Sequence, residues 1–334
     1  MKTTCDFLIV GAGLAGCALG FFLARAGADV LVLELLEAKE KNKLCAGAIE
    51  EGCRERLTGT FGKEMWDDLR PARFEVMRFR IAGRECQWRK VFYGLPRKRL
   101  DDYALNRYTG AGGRLMDRIS VKAIDTAKGE AVCDDLRTGE RFTVRFRTIV
   151  GADGAASATR RLITGKSPES TLSIAATVPS IGDELLLEYR YGEVGYAWYI
   201  PQGDSATVGA WFPSGSVALC REALGSLLRE LSIFVTPQTM RGAPIPTGRN
   251  VLLRAGENVY FVGDAAGLIH ATLGGGIGYA AESARLLAAA LTSGEDYEEA
   301  MRPAVTEVAM IAANAEKRQF LTNFRLMKNG QVYS

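Results

Sequence analysis

Apolar and polar positions fall into several rhythms along this chain, and each predicts a different element. Phe7 to Val10 is an unbroken apolar run with the length and bulk of a strand buried on both faces. A helical rhythm follows as far as Gly27, and a second apolar run, Val30 to Leu33, ends in Glu34. Ile49 to Leu69 reads as helical and is closed by Pro71. From Phe74 to Phe92 the period falls towards two, which predicts paired strands with a turn at Ala82-Gly83. A helix entered at Pro96 closes in the glycines of 110–113, and strands dominate from Leu115 to Val150. Strands return from Leu172 to Phe212, where period two places Tyr196, Trp198 and Ile200 on one face. Val217 to Leu231 reads as a helix, and Pro237, Pro244 and Pro246 break up the return to Asn258. A strand, a glycine-rich loop and a long helix follow, and Tyr297 to Lys328 is helical in pattern.

Composition narrows the picture. The 334 residues suffice for two packed cores, and 47% hydrophobic with 24% charged describes a globular chain. A net charge of +3 gives no reason to expect a nucleic-acid partner. No apolar run reaches the roughly 18 residues that span a bilayer. The first strand starts close to Met1, which predicts no cleaved leader and a cytoplasmic location. The 7 cysteines include no C-x-x-C pair, so neither a disulfide framework nor a zinc site is expected. With 1 histidine, a His-based metal cluster is excluded, and no metal is predicted.

Three glycine-rich segments carry the chemistry. Gly11, Gly13 and Gly16 stand in G-x-G-x-x-G spacing around Leu14 and Ala15, directly after the first strand and at the head of a helix. Gly11 turns the chain, Gly13 lets a diphosphate approach the backbone, and Gly16 lets helix and strand pack closely. The helix N-terminus presents N–H groups and partial positive charge to phosphate, and Glu34 can accept from ribose hydroxyls. Alone this predicts an ADP-containing dinucleotide, NAD as readily as FAD. The second segment is Gly151-Ala152-Asp153-Gly154, with Ser157 and Arg160 behind it; it brings Asp153 beside a nucleotide, or is a strand-end turn with a solvated Asp. In the third, Gly263-Asp264-Ala265-Ala266-Gly267, Asp264 follows a strand and is suited to ribityl hydroxyls. Beyond it Gly274, Gly275 and Gly276 open a helix at Ile277, where N–H groups can stabilise charge on a reduced flavin.

The set GAGLAG (11–16) with Glu34, GADGAAS (151–157) and GDAAG (263–267) resembles the flavoproteins of the para-hydroxybenzoate hydroxylase fold. The resemblance covers nearly the whole chain and implies FAD as cofactor, held by a Rossmann-like α/β domain interleaved with a mostly antiparallel sheet domain. It assigns 1–72, 96–165 and 250–296 to FAD, 73–95 and 166–249 to substrate, and 297–334 to a C-terminal helical segment. It also places Arg97, in PRKRLDD, near the FAD phosphates.

Two further features are similar to the geranylgeranyl reductase family: Leu44-Cys45-Ala46-Gly47-Ala48 and Tyr196-Ala197-Trp198-Tyr199-Ile200-Pro201. Members have a Cys-Gly-rich loop near the flavin and a Y-x-W-x-F-P motif in the substrate cavity. The likeness implies Cys45, Ala46 and Gly47 beside the cofactor, and Tyr196, Trp198 and Ile200 against an isoprenoid chain. The implied reaction is saturation of prenyl C=C bonds on a lipid or quinone. From its place in the small-residue loop, the Cys45 thiol is suited to donate a proton to substrate carbon or to control flavin access, and the lone His270, a residue type more often structural, is a weaker second candidate. Here Ile200 replaces the family's Phe, Ala46 and Ala48 replace glycines, and no proline precedes the Gly274 run. A single dinucleotide fingerprint implies an external reductant, either NAD(P)H or a ferredoxin-like carrier. A prenyl substrate implies peripheral membrane contact, for which Phe320, Phe324 and Leu326 beside Lys317, Arg318, Arg325 and Lys328 are suited, although an ordinary packed helix fits the same pattern. The alternatives are an FAD-dependent aromatic monooxygenase of the same fold and a flavin electron-transfer protein without a small substrate.

Overall fold

The computed structural model of the chain describes residues 2–81, 84–190, 193–315 and 317. In chain order its elements begin with β1 (Lys2–Val10), α1 (Leu14–Arg25), β2 (Val30–Leu33), β3 (Ala48–Glu50), α2 (Glu51–Phe61), α3 (Met65–Leu69), β4 (Ala72–Ile81) and β5 (Arg84–Gly94). There follow α4 (Arg97–Gly110), β6 (Arg114–Met116), β7 (Ile119–Asp125), β8 (Glu130–Asp135), β9 (Arg141–Gly151) and α5 (Ala158–Thr164). The rest comprises β10 (Ser170–Pro179), β11 (Leu185–Tyr189), β12 (Tyr196–Pro201), β13 (Ser205–Trp211), α6 (Val217–Glu230) and β14 (Arg241–Pro246). Last come β15 (Arg254–Gly256), β16 (Val259–Phe261), α7 (Gly263–Ala266), α8 (Ile277–Ser293) and α9 (Tyr297–Ala313).

The first sheet runs β15-β16-β9-β1-β2-β6, with the β7–β8 hairpin attached to β9. Its central pairings are parallel, which explains why the Phe7–Val10 end of β1 and the whole of β2 are apolar without alternation: both their faces are covered. Register brings three strand ends to one edge, because Val10 pairs with Gly151 and Gly151 pairs with Phe261. The glycine-rich segments that follow these strands therefore converge. Helix α1 packs so closely on its neighbours that a Cβ at Gly20 would lie 2.7 Å from the Tyr108 ring. Tyr108 is fully buried on α4 and donates from its hydroxyl to the Arg114 carbonyl at 2.7 Å.

The second sheet runs β14-β10-β13-β12-β11-β4-β5-β3 and is antiparallel except between β11 and β4. Helix α6 covers one face, burying Cys220, Leu224 and Leu227 against Ala197, Tyr199 and Val208. The opposite face carries Tyr196, Trp198, Ile200, Trp211 and Phe79, and Leu44, Ala46 and Ala48 pack against it. The mixed α/β architecture with two sheets agrees with the expected class.

Some local expectations differ. The helix expected over Ile49–Leu69 is three pieces, because Ala48–Glu50 pairs with β5 and Gly62, at φ +86°, closes α2. A short helix, α5, follows the second glycine segment, and another, α7, is formed by the third segment itself, where a glycine-rich loop was expected. The turn at Ala82-Gly83 lies outside the described residues, as do Arg318, Phe320, Phe324, Arg325, Leu326 and Lys328. Among the described residues no helix is long and apolar enough to cross a membrane.

Candidate active site

The site is built where β1, β9 and β16 end. Gly11 adopts φ +107°, and a Cβ there would meet the Ala152 carbonyl oxygen at 2.5 Å, so only glycine fits between the first two segments. A Cβ on Gly16 would fall 1.9 Å from the Gly11 oxygen, which is the close helix–strand approach the spacing predicts. Gly13 is different. It caps α1 with no side-chain hydrogen bond, and a Cβ there would meet nothing within 4 Å. Open space at a helix N-terminus with no acidic residue in its first turn suits a diphosphate. Leu14 and Ala15 are buried behind it in α1.

Glu34 is buried, and its Oε2 accepts from the Ala12 N–H at 2.8 Å while Oε1 accepts from the Leu36 N–H at 3.1 Å. Lys41 joins it, its Nζ 2.9 Å from Glu34 Oε2 and 2.6 Å from the Ala12 carbonyl oxygen. Asp264, at the head of α7, pairs through Oδ2 with Lys43 Nζ at 2.8 Å. Burial pulls the Asp264 carboxyl upward, but Lys43 and then Arg97 outweigh it and hold it below its usual value. Gly263 donates its N–H to Ser283 Oγ on α8, and a Cβ on Gly276 would lie 2.8 Å from Asp264 Oδ1. Gly276, just before Ile277 at the head of α8, thus returns against the Asp264 carboxylate after the turn that pairs His270 with Gly275.

Two expected ligand residues are already engaged. The Asp153 carboxylate accepts from Ser157 Oγ at 2.5 Å and from Thr159 N and Oγ1 at 2.8 and 2.9 Å. These contacts hold the turn into α5 beside Gly154, which sits at φ +79°. Arg97 is buried and its Nε donates to Asp101 Oδ1 at 3.0 Å, four residues along α4. Burial alone pulls Arg97 down, yet Asp101, then Cys45 and Asp264, raise it above its ordinary value, so its charge stays in place.

Cys45, Ala46 and Gly47 lie between the sheets. The Ala46 carbonyl accepts from Gln202 Nε2 at 2.8 Å and from Thr207 Oγ1 at 3.0 Å. Gly47, at φ +69°, accepts from the Leu95 N–H at 2.9 Å, and a Cβ there would strike Gln202 Nε2 at 2.3 Å. Tyr196, Trp198 and Ile200 are buried on the face that meets this loop. Tyr196 donates its hydroxyl to the Leu273 carbonyl at 2.6 Å, so the aromatic strand also holds the 268–276 turn. Burial, with Cys45 adding, pushes the Tyr196 hydroxyl well above the usual tyrosine value. Trp198 packs edge-on to Tyr196 with ring centroids 6.0 Å apart. Its indole N–H is buried with no hydrogen-bond partner among the described residues. His270 sits in the turn with Nδ1 3.2 Å from Thr272 Oγ1 and its backbone paired with Gly275. Sequence reasoning missed Lys41, Lys43, Gln202 and Thr207; the basic run after Glu34 was the only signal for the lysines.

A Rossmann-like α/β unit meeting a mainly antiparallel sheet at three glycine turns is the fold of FAD-binding oxidoreductases, shared with para-hydroxybenzoate hydroxylase-like monooxygenases. The chain belongs to the family described as FAD binding domain, whose model matches residues 4–317, and FAD is its cofactor. It is 28% identical to a menaquinone reductase of Mycolicibacterium smegmatis, over 90% of this chain and 80% of that one. It is likewise 28% identical to a geranylgeranyl diphosphate reductase of Rhodobacter capsulatus, over 98% of this chain and 85% of the other. Among solved structures, a geranylgeranyl bacteriochlorophyll reductase-like protein of Thermoplasma acidophilum shares the fold, with TM-score 0.78, 19% identity and coverage of 98% and 89%. The resemblance to geranylgeranyl reductases read from the motifs is matched by these relatives.

Proposed function

We propose that this oxidoreductase saturates C=C bonds of a prenyl chain carried by a lipid, quinone or related isoprenoid. The observation that carries the reading is the Ala46 carbonyl, held by Gln202 and Thr207, which ties the Cys45 loop to the sheet face bearing Tyr196 and Trp198. An apolar aromatic floor and a thiol-bearing loop are thereby joined at the end of the FAD domain. The relatives' names support the same substrate class.

When bound and reduced, FAD supplies the hydride equivalent that one alkene carbon accepts. Glu34 and Asp264 would accept hydrogen bonds from hydroxyls of the cofactor, and the α1 N-terminus at Gly13 would meet its diphosphate. Tyr196, Trp198 and Ile200 hold the prenyl chain and exclude water, which an unactivated alkene needs because it is a poor hydride acceptor. Cys45 Sγ gives its proton to the second carbon and recovers one from solvent, so one hydride and one proton add across the bond. Gln202 and Thr207 keep that thiol in place. The two electrons come from an external nicotinamide or carrier protein.

Anaerobic mixing of dithionite-reduced protein with geranylgeranyl lipids tests this. The expected result is lipid-dependent flavin reoxidation with one H2 added per bond reduced. Reoxidation indifferent to lipid would defeat the reading. Phenol-stimulated, oxygen-dependent hydroxylation would replace it with a monooxygenase, and rapid electron exchange with a carrier alone would replace it with an electron-transfer protein.

A further inference from the structure

Arg97, the cation expected near the FAD phosphates, is buried and gives its Nε to Asp101, one of the five donors its guanidinium carries. Two other cations lie on the carboxylates that a dinucleotide must reach. Lys41, with its side chain 12% exposed, bridges Glu34 and the Ala12 carbonyl, directly before the Gly13 cap of α1. Lys43 lies on Asp264, at the third glycine segment. Glu34 is short of acceptor sites for both its present partners and a ribose. A carboxylate offers about four lone-pair sites. At Glu34 they are shared among the Ala12 N–H, the Leu36 N–H and the Lys41 ammonium. One site is left, whereas a ribose brings a 2′- and a 3′-hydroxyl. The two backbone donors are fixed by the chain, so the ammonium is the group able to leave. A released ammonium beside the α1 N-terminus has a dianionic diphosphate as its natural partner.

We propose that Lys41 and Lys43 are transferable counter-ions of the FAD site: each yields its carboxylate to cofactor hydroxyls and pairs with the diphosphate instead. The two ammoniums then offset the two charges the diphosphate brings, with the α1 N-terminus beside them, while Glu34 and Asp264 keep hydrogen bonds from hydroxyls in place of their cations.

The test is titration of full-length, flavin-stripped protein with FAD and with riboflavin, which lacks the diphosphate, followed by flavin fluorescence at several salt concentrations. Wild type should bind FAD more weakly as salt rises while riboflavin binding stays flat, a readout that needs no variant. Lys41→Met and Lys43→Met should each weaken FAD by about tenfold, with a shallower salt dependence and no loss of riboflavin affinity. Lys41→Arg and Lys43→Arg should restore most of the loss. FAD bound as tightly or more tightly by the Met variants would overturn the proposal, because the lysines would then only compete for the carboxylates. Equal weakening of FAD and riboflavin would overturn it too, since loop order and not charge would be what the lysines supply.

Discussion

Gly13 and Gly16 belong to one motif but do different work, and two alanine substitutions separate them. At Gly13, φ −77° and ψ −175° are open to alanine, and the added methyl meets nothing within 4 Å. Stiffening the unfolded chain favours alanine there by about 0.4–1 kcal/mol. Alanine's poorer capping takes back roughly 0.5–1 kcal/mol, so flavin-stripped Gly13→Ala should unfold within about 1 kcal/mol of wild type. At Gly16 the methyl lies 1.9 Å from the Gly11 carbonyl oxygen and 3.2 Å from Ala152 Cβ, both fixed. Helix α1 has to move off β1, and overpacking of this kind costs about 1–3 kcal/mol or more.

FAD binding should reverse the ranking of the two variants. The Gly13→Ala methyl enters the space where a diphosphate meets the helix N-terminus, and loss of one charge-assisted hydrogen bond, about 1.5–3 kcal/mol, is roughly 10- to 100-fold in affinity. Thermal unfolding with and without added FAD, alongside a fluorescence titration, reads both quantities. Wild type should gain stability from FAD, Gly13→Ala should keep its baseline and lose the gain, and Gly16→Ala should lose the baseline. Gly13→Ala binding FAD at wild-type affinity would refute the placement of the diphosphate, and Gly16→Ala unfolding like wild type would refute the packing argument.

Cys45→Ala should retain FAD yet slow single-turnover alkene reduction by about 10²- to 10⁴-fold, read by stopped-flow flavin absorbance; an unchanged rate removes the thiol from the chemistry. Tyr196→Phe removes the 2.6 Å hydrogen bond to the Leu273 carbonyl. It should cost about 1–3 kcal/mol and speed amide exchange through 273–276, and unaltered exchange would show that the turn holds itself. Asp264, held below the usual aspartate value by Lys43 against burial, stabilises the fold fully above that usual value and loses the contribution as pH falls through the lower folded one. Lys43→Met should shift this acid-side loss of stability to higher pH, and acid unfolding curves that superimpose would contradict it.

What could be read from sequence was what depends on near neighbours. The roles of Gly11 and Gly16 follow from their places in one strand–turn–helix, and the shared face of Tyr196, Trp198 and Ile200 follows from period two. The remainder depends on partners distant in sequence or on competition between partners. Asp153 has Ser157 and Thr159 within six residues, and those hydroxyl and amide donors claim the carboxylate before any ligand does. Arg97 has Asp101 at i+4 on an exposed-looking helix start, a spacing visible in PRKRLDD that the fold then buries. Lys43 reaches Asp264 across 221 positions, and Gln202 reaches Ala46 across 156, separations that no local pattern encodes.

The stretch from Glu34 to Ala48 links the two sheets, since it leaves β2 and enters β3. Its contacts are of two kinds. Lys41 and Lys43 are held by ion pairs of their side chains, whereas Ala46 and Gly47 are held through backbone carbonyls by neutral donors on Gln202, Thr207 and Leu95. A lysine ammonium on its flexible stem can change partners when a stronger anion arrives, but a carbonyl with two buried donors has nothing to gain by leaving them. Gly47 reinforces the difference, because its positive φ and its close approach to Gln202 and the Leu95 carbonyl allow one backbone path there. Cofactor loading can therefore rearrange the lysines without displacing Cys45, which is set by the substrate sheet. In the proposed reaction the thiol is positioned by the same surface that is proposed to receive the alkene, which is where a proton donor to substrate carbon has to be fixed.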